Sequence, residues 1–178
     1  MKKSAVYKNL IIVSGTGKNV GKTTFVCKLI ETFKKQNIVA LKISPFWHNI
    51  NNNEDILISN ERFLILKESN TEGLKDSSKM LLSGATQTFY IQATDINILE
   101  SFDYLTSNYI KNQPVICESS ALLKYIKPSF HFIITRDIKS SVKNNSEIWV
   151  KNVNNLFDFD VNKLILLNNE WMLMNNND

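Results

Sequence analysis

The sequence lacks several features that would place the protein among metal-binding, secreted or membrane proteins. Its 178 residues include two cysteines, Cys27 and Cys117, with neither C-x-x-C spacing nor a nearby histidine. They do not predict a metal site, and we expect buried, reduced thiols in a cytoplasmic protein. No apolar run approaches the length of a transmembrane helix, and the run that follows the basic residues 1–3 is too short for a signal peptide.

A large excess of one charge is also lacking. The net charge is +4, and the lysines are spread along the chain. Nucleic-acid binding is therefore not predicted, because it needs clustered basic residues and would show steep salt dependence. The hydrophobic content of 43% is ordinary for a globular protein. The length, with no internal repeat and no linker, predicts a single domain over residues 1–178 with a sizeable core.

Glycine is scarce, and three of the five glycines lie close together. They belong to one stretch that follows the apolar run 10–13 and precedes a helical pattern: Ser14, Gly15, Thr16, Gly17, Lys18, Asn19, Val20, Gly21, Lys22, Thr23 and Thr24. A strand, a glycine-rich loop and a helix form the context of a phosphate-binding loop. The glycines let backbone amides approach an anion, and the helix directs its positive dipole end at the same place.

This context predicts the role of each loop residue. Residues 15–24 would bind the phosphates of a nucleotide, Lys22 would reach the β- and γ-phosphates, and the Thr23 hydroxyl would bind Mg²⁺. The alternative is a turn that merely joins a strand to a helix, and the complete strand–loop–helix context favours phosphate binding over it. Gly15 and Gly21 enclose five residues, one more than the pattern G-x-x-x-x-G-K-[ST] allows.

With this spacing the loop resembles that of dethiobiotin synthetase and its relatives. The motif Gly15-Thr16-x-x-x-Val20-Gly21-Lys22-Thr23 carries the resemblance. The same sub-class of nucleotide-binding proteins includes the B-type protein of molybdopterin-guanine dinucleotide biosynthesis. The resemblance implies the P-loop NTPase fold.

The rest of the chain predicts an α/β fold with a mostly parallel sheet flanked by helices. Apolar runs predict strands at 10–13, 38–43, 62–67, 89–91, 115–118 and 130–135, with 62–67 at a sheet edge. Helical patterns cover 22–36, 76–84, 95–112 and 147–157. The first strand, helix and second strand indicate a parallel, right-handed crossover. The segments 164–167 and 171–174, joined through two asparagines, are compatible with a terminal β-hairpin.

Three charged residues are candidates for the chemistry beside the loop. Glu118 closes an apolar strand at the sheet edge where parallel α/β proteins bind ligands, so we expect it at Mg²⁺ rather than facing solvent. Asp76 is a second candidate carboxylate, although it or Ser77 could instead cap the short helix that Gly84 ends. Lys42 lies at the end of the second strand and could contact a phosphate or an anionic substrate, or remain solvated.

Four further residues have weaker positional arguments. Arg136 and Asp137 follow a strand where a doubly wound sheet would meet the base or ribose. His131 lies inside an apolar strand and is interpreted as a core residue with a satisfied hydrogen bond. His48 belongs to the polar segment 44–55, which we predict to be a mobile loop over the site.

A second segment resembles the molybdopterin-guanine dinucleotide biosynthesis B-type family itself. It runs from Lys75-Asp76-Ser77-Ser78 to Gly84-Ala85-Thr86-Gln87-Thr88, similar to the family's K-D-S, helix and G-A-x-Q-T. The resemblance covers about the first two-thirds of the chain. It implies that Asp76 and Glu118 lie around Mg²⁺ and that Lys42 lies near the γ-phosphate or substrate. It also implies a homodimer, in which proteins of this fold are often paired.

The chain also departs from that family. Gln113 stands where the family has an aspartate, Ser119 replaces the glycine after the strand-end glutamate, and the family's histidine-rich stretch is reduced to His48. An Asn-Lys-x-Asp guanine signature is lacking, because Asn162-Lys163-Leu164-Ile165 has no aspartate.

These features predict a Mg²⁺-dependent protein that binds and hydrolyses a nucleoside triphosphate, either ATP or GTP. Lys22, Asp76 and Glu118 are the predicted catalytic residues, and Thr23, Asp76 and Glu118 are the predicted metal ligands. Two alternatives stay open. One is a ligase or kinase that acts on a small molecule, like dethiobiotin synthetase. The other is a nucleotide-binding adaptor without catalysis that partners a biosynthetic enzyme.

Overall fold

A mixed β-sheet with the first strand near its centre organises the chain, which is an α/β protein. The computed structural model describes residues 6–48, 55–70, 72–73, 75–136 and 146–174. The strands in these ranges are β1 (Val6–Gly15), β2 (Val39–Ser44), β3 (Asp55–Ser59), β4 (Phe63–Lys67), β5 (Gln87–Ala93), β6 (Val115–Glu118), β7 (Lys127–Thr135), β8 (Glu147–Val153), β9 (Leu156–Phe157), β10 (Leu164–Leu167) and β11 (Glu170–Leu173).

In the same ranges α-helices are fewer than strands. The α-helices are α1 (Lys22–Phe33), α2 (Asp76–Leu82) and α3 (Ile98–Asn108), with 3₁₀ turns at Lys34–Gln36, Asp95–Asn97, Leu122–Lys124 and Val161–Lys163. None of the helices in the described ranges combines the length and apolar character that a membrane span requires.

The sheet has a parallel centre and antiparallel edges. Within the described residues its nine strands follow the order β3-β4-β5-β2-β6-β1-β7-β8-β9. Neighbours along the run β5-β2-β6-β1-β7-β8 pair in parallel. The outer strands β4, β3 and β9 each pair antiparallel with their neighbours. The carboxyl ends of β1, β2 and β6 therefore meet at one edge of the sheet.

Both faces of the sheet are covered, which explains the unbroken apolar run of β1. Ile11 and Val13 pack into the cluster that contains α1 and the hairpin formed by β10 and β11. Leu10 and Ile12 pack into the opposite cluster, which contains α3. A parallel strand buried on both faces has no polar alternation, so its sequence reads as a continuous apolar run.

The terminal hairpin is confirmed, with its second strand starting one residue earlier than predicted. Asn168 and Asn169 adopt left-handed φ angles of 52° and 63°, which a two-residue type I′ turn requires. Trp171 packs edge-on against Phe33 of α1 at a centroid distance of 5.0 Å. Its Nε1 donates to the carbonyl oxygen of Asn9 at 3.0 Å, so the hairpin is attached to both α1 and β1.

The prediction of a helix over residues 147–157 is wrong. The segment forms β8 and β9, with Ile148, Val150 and Asn152 buried in alternation while their neighbours are more accessible. The two-residue period suits a strand, and β7 offers an open parallel partner for it. Asn154 and Asn155 at φ 53° and 67° then turn the chain back into β9.

Two smaller expectations also need correction. The segment 62–67 is a strand, but not an edge strand, because β4 lies between β3 and β5. Neither Asp76 nor Ser77 caps α2: the N-cap residue is Lys75, without a side-chain cap, and Asp76 occupies the first turn. Gly84, at φ 104°, follows the end of α2 as predicted.

The two thiols are free, as predicted. Cys117 is buried in β6, whereas Cys27 on α1 is only half-buried. Burial raises the pKa of both thiols above the ordinary value. They are therefore protonated at neutral pH and poorly reactive.

Candidate functional site

The loop between β1 and α1 is held close to the sheet by its first glycine. A Cβ atom on Gly15 would lie 2.6 Å from Cγ2 of Val20 and 3.0 Å from the carbonyl oxygen of Ile134. The Thr16 amide donates to that same carbonyl at 3.0 Å. Glycine at this position lets the chain turn tightly against β7.

The loop is anchored at its end and exposed at its tip. The Val20 side chain is buried, whereas residues 16–19 are exposed. Asn19 has a left-handed φ of 57°, which asparagine tolerates better than most residues. Residues 16–19 are thus the part of the loop available to a ligand, and the Val20 side chain is not.

A side chain from β8 supports the loop where α1 begins. Asn152 is buried, and its Nδ2 donates to the carbonyl oxygen of Val20 at 2.7 Å. Gly21 has a φ of 103°, and a Cβ atom there would lie only 2.2 Å from the same Nδ2. Sequence reasoning missed Asn152, because the segment that carries it was interpreted as a helix.

Lys22 and Thr23 occupy the first turn of α1, and their side chains point to different partners. Lys22 Nζ donates to the carbonyl oxygen of Gly17 at 2.8 Å, so the ammonium group lies across the loop. Thr23 Oγ1 donates to Oε2 of Glu118 at 2.7 Å. Thr24 is exposed. The structure therefore brings Lys22 to the loop and Thr23 to the carboxylate that the sequence singled out.

The end of β6 places Glu118 between the two neighbouring strands. In the sheet, Glu118 stands opposite Val13 of β1 on one side and Lys42 of β2 on the other. The residue is only 3% exposed. Its Oε1 accepts a hydrogen bond from Lys42 Nζ, and its Oε2 accepts the bond from Thr23. The alternative, in which Glu118 faces solvent, is thus excluded.

Asp76 from α2 completes a cluster of four polar side chains. Its Oδ2 lies 3.2 Å from Lys42 Nζ, and its carboxylate is within hydrogen-bonding reach of the Thr23 hydroxyl. We call Thr23, Lys42, Asp76 and Glu118 the carboxylate cluster. Its members come from α1, β2, α2 and β6, and parallel topology brings them to the edge where the loop lies.

Mutual attraction keeps the cluster charged. Burial alone would lower the pKa of Lys42, but the charges and hydrogen bonds of Glu118 and Asp76 outweigh burial and raise it. Burial would raise the pKa of Asp76, but Lys42, Lys79 and the Thr23 hydroxyl together hold it below the usual value. The Lys42 ammonium and the Asp76 carboxylate are therefore both ionised at neutral pH.

The cluster's oxygen atoms suit a hard divalent cation. Two carboxylates and a hydroxyl are ligands that Mg²⁺ accepts, with its remaining positions filled by phosphate oxygens and water. In the described part of the chain there is no group of three His, Cys, Asp or Glu side chains that could hold a metal by itself. The donor set thus fits Mg²⁺ that arrives with another oxygen-rich ligand.

A cavity of about 680 Å³ opens beside the cluster and shares Lys42 and Asp76 with it. Its walls come from the ends of β2, β4 and β5 and the start of α2, and they include Glu68, Ser77 and Gln92. Sequence reasoning missed these three residues. The volume lies in the range of small-molecule sites in proteins.

The groups in the cavity wall are held in place. Glu68 accepts hydrogen bonds from the Ser77 hydroxyl and, at 2.8 Å, from the amide of Asn70. The buried Gln92 accepts from the backbone amide of His48 at 2.7 Å. His48 therefore reaches the cavity wall, as part of the segment predicted to cover the site. Residues 49–54 of that segment lie outside the described residues.

A second cavity, of about 350 Å³, is lined by Arg136 and by residues 152–155. It adjoins the anchored end of the loop, because Asn152 is part of its wall. Arg136 therefore borders a cavity beside the loop. A contact of Arg136 and Asp137 with the base or ribose stays a prediction, and Asp137 lies outside the described residues. His131 is a partly buried residue whose Nε2 is 2.7 Å from the Ser14 hydroxyl, which agrees with its interpretation as a satisfied histidine.

Comparison with known proteins yields no match: no family model, no curated protein and no solved structure is significantly similar to this chain.

Proposed function

We propose that the protein binds a nucleoside triphosphate with Mg²⁺, ATP or GTP, and hydrolyses it or transfers its γ-phosphoryl group. The observation that carries the proposal is the bond from Thr23, in the first turn of α1, to the buried carboxylate of Glu118. A hydroxyl at this position of a glycine-rich loop and a strand-end carboxylate are the pair that nucleotide-bound Mg²⁺ needs.

The arrangement of strands supports a P-loop NTPase fold as part of this proposal. β6, which ends in Glu118, lies between β1 and β2 and is parallel to both. The loop follows β1 and leads directly into α1. These placements support the resemblance to dethiobiotin synthetase and the molybdopterin-guanine dinucleotide biosynthesis B-type family. The homodimer that the resemblance implies is a further part of the proposal.

In the proposed mechanism, this chain neutralises and orients the phosphates. The amides of residues 17–22 and the Lys22 ammonium would bind the β- and γ-phosphates, and Lys42 would face the γ-phosphate. Thr23, Asp76 and Glu118 would hold Mg²⁺, which supplies positive charge to the phosphate oxygens. Catalysis then consists of positioning and charge stabilisation.

Intrinsic hydrolysis should be slow. A carboxylate whose pKa lies below the usual range, as for Asp76, is a weak base toward water. Both oxygens of Glu118 already accept hydrogen bonds. The residues can orient a water molecule better than they can deprotonate it. A nucleotide-binding adaptor with incidental turnover is compatible with this arrangement.

The cavity beside the cluster favours a second candidate function, transfer of the phosphoryl group to a small molecule. Lys42 and Asp76 border both the cavity and the proposed metal position. A molecule held there would have an acceptor atom near the γ-phosphate. This arrangement would make the protein a small-molecule kinase or ligase like dethiobiotin synthetase. Stimulation of nucleotide turnover by a small polar metabolite would favour this function over simple hydrolysis.

The test of nucleotide binding is calorimetric titration with ATP and with GTP, each in the presence of Mg²⁺. We expect micromolar affinity for at least one nucleotide. Lys22→Ala should weaken it by about 100-fold or more, because a charged contact to phosphate is lost. Lys35→Ala is the matched control, since Lys35 is an exposed lysine in the 3₁₀ turn after α1. Folded wild-type protein that binds neither nucleotide would contradict the proposal.

A further inference from the structure

The ammonium group of Lys42 lies among the oxygen atoms that suit a divalent metal. It donates to Oε1 of Glu118 and is 3.2 Å from Oδ2 of Asp76. The Thr23 hydroxyl, the third oxygen of the set, binds the other oxygen of Glu118 at 2.7 Å. The Lys42 side chain is only 20% exposed. A positive charge of this chain therefore offsets one of the two carboxylate charges before any ligand is considered.

A metal ion and this ammonium group compete for the carboxylates. Glu118 has one oxygen on Lys42 and the other on Thr23, so neither oxygen is free of a protein hydrogen bond. A divalent cation among the same oxygens would lie within a few ångströms of a unit positive charge. Repulsion at that distance is strong in a partly buried site. Entry of one cation therefore disfavours the other.

We propose that Lys42 is the resident counter-ion of the metal position and is displaced into the adjacent cavity when Mg²⁺ enters with a nucleotide. This inference rests on the proposed function. The cavity borders Lys42, so displacement needs a change of side-chain rotamer and no opening of the sheet. A bound triphosphate replaces the carboxylate partners that the Lys42 ammonium group loses, because its γ-phosphate is a new anionic partner.

The exchange makes metal and nucleotide binding mutually dependent. Mg²⁺ alone must displace Lys42 without offering it a new partner, so metal should bind weakly to the nucleotide-free protein. With a nucleotide, the phosphates accept the displaced ammonium and also coordinate the metal. By thermodynamic linkage, metal then strengthens nucleotide binding by the same factor. Lys42 thereby restricts tight metal binding to the nucleotide-bound protein.

The experiment is a titration with Mn²⁺, followed by electron paramagnetic resonance, on nucleotide-free protein. Wild-type protein should bind Mn²⁺ only weakly. Lys42→Met removes the competing charge and keeps a side chain of similar length, so it should bind Mn²⁺ about tenfold tighter or more. Lys42→Arg keeps the charge and should bind as weakly as the wild type. Lys79→Met is the matched control: Lys79 lies 3.6 Å from Asp76 but is half exposed, and its loss should change the affinity little.

A second measurement covers the case that Lys42→Met folds poorly without its counter-ion. The milder variant Lys42→Gln still offers a hydrogen bond to the carboxylates. Its thermal midpoint should rise with added Mn²⁺, since an ion that binds only the folded state stabilises it. The wild-type midpoint should change much less.

The outcomes separate this inference from the proposed function. Equal, weak Mn²⁺ binding by the wild type, Lys42→Met and Lys42→Gln would overturn the exchange even if nucleotides bind normally. Tight Mn²⁺ binding by nucleotide-free wild type would overturn it as well. Failure of the wild type to bind ATP or GTP contradicts the proposed function instead, and it is measured separately by calorimetry.

Discussion

Replacing Gly21 with alanine tests how the loop is held, and its effect can be worked out from two contacts. The φ of 103° is left-handed, and an L-residue there loses about 1–2 kcal/mol. The new Cβ would lie 2.2 Å from Nδ2 of Asn152, so that side chain must move. Its bond to the Val20 carbonyl would break, and a buried carbonyl without a partner costs about 1–3 kcal/mol. Together the loss in unfolding free energy is about 2–5 kcal/mol.

A double-mutant cycle separates the two contributions. In an Asn152→Ala background the clash and the hydrogen bond are both already gone. Gly21→Ala should then lose only the conformational part, about 1–2 kcal/mol. The difference between the two backgrounds is the coupling energy, about 1–3 kcal/mol. Urea unfolding of the four proteins, followed by circular dichroism, gives all the required free energies.

One result would refute this reasoning. If Gly21→Ala loses the same free energy with asparagine and with alanine at position 152, the two residues do not interact as the distances require. A Gly21→Ala protein as stable as the wild type would also contradict the left-handed conformation of the loop.

Two further predictions concern charge and pH. Glu118→Gln keeps the shape of the side chain but removes one negative charge beside the proposed metal position; the gain in nucleotide affinity on adding Mg²⁺ should fall about tenfold or more, measured by calorimetry with and without the metal. Burial, opposed by Glu147, lowers the pKa of His131 below 6.5, so protons favour the unfolded chain. Stability should therefore fall as the pH drops below about 6.5, and His131→Gln should flatten that decline in urea unfolding at about pH 7.5 and 5.5. If His131→Gln loses as much stability between these two pH values as the wild type does, groups other than His131 cause the decline.

The parts of the site that could be predicted from sequence are those whose signals are local. The loop can be recognised by its three glycines between a strand and a helix. Glu118 stands out because it is the charged residue that closes a short apolar strand, and Lys42 because it lies near the end of the second strand of the crossover. Parallel pairing then brings these residues to one edge, whichever strand order is adopted.

The walls of the site could not be predicted, because they depend on pairing between distant segments. Gln92 and Glu68 border the cavity only because β4 pairs antiparallel with β5, and no local pattern gives the direction of that pairing. Asn152 supports the loop only because β8 joins β7. The segment 147–157 has apolar residues at positions that suit either a strand or a helix, and tertiary pairing decides between them.

The position of β1 affects how the site forms during protein synthesis. β1 carries the loop and leaves the ribosome first, yet its sheet neighbours β6 and β7 and the supporting Asn152 are made much later. The glycine-rich loop therefore cannot reach its final shape while the nascent chain is short, however early its sequence is translated. Chains that stop before residue 152 should lack a stably anchored loop, so nucleotide binding would report that synthesis has passed β8.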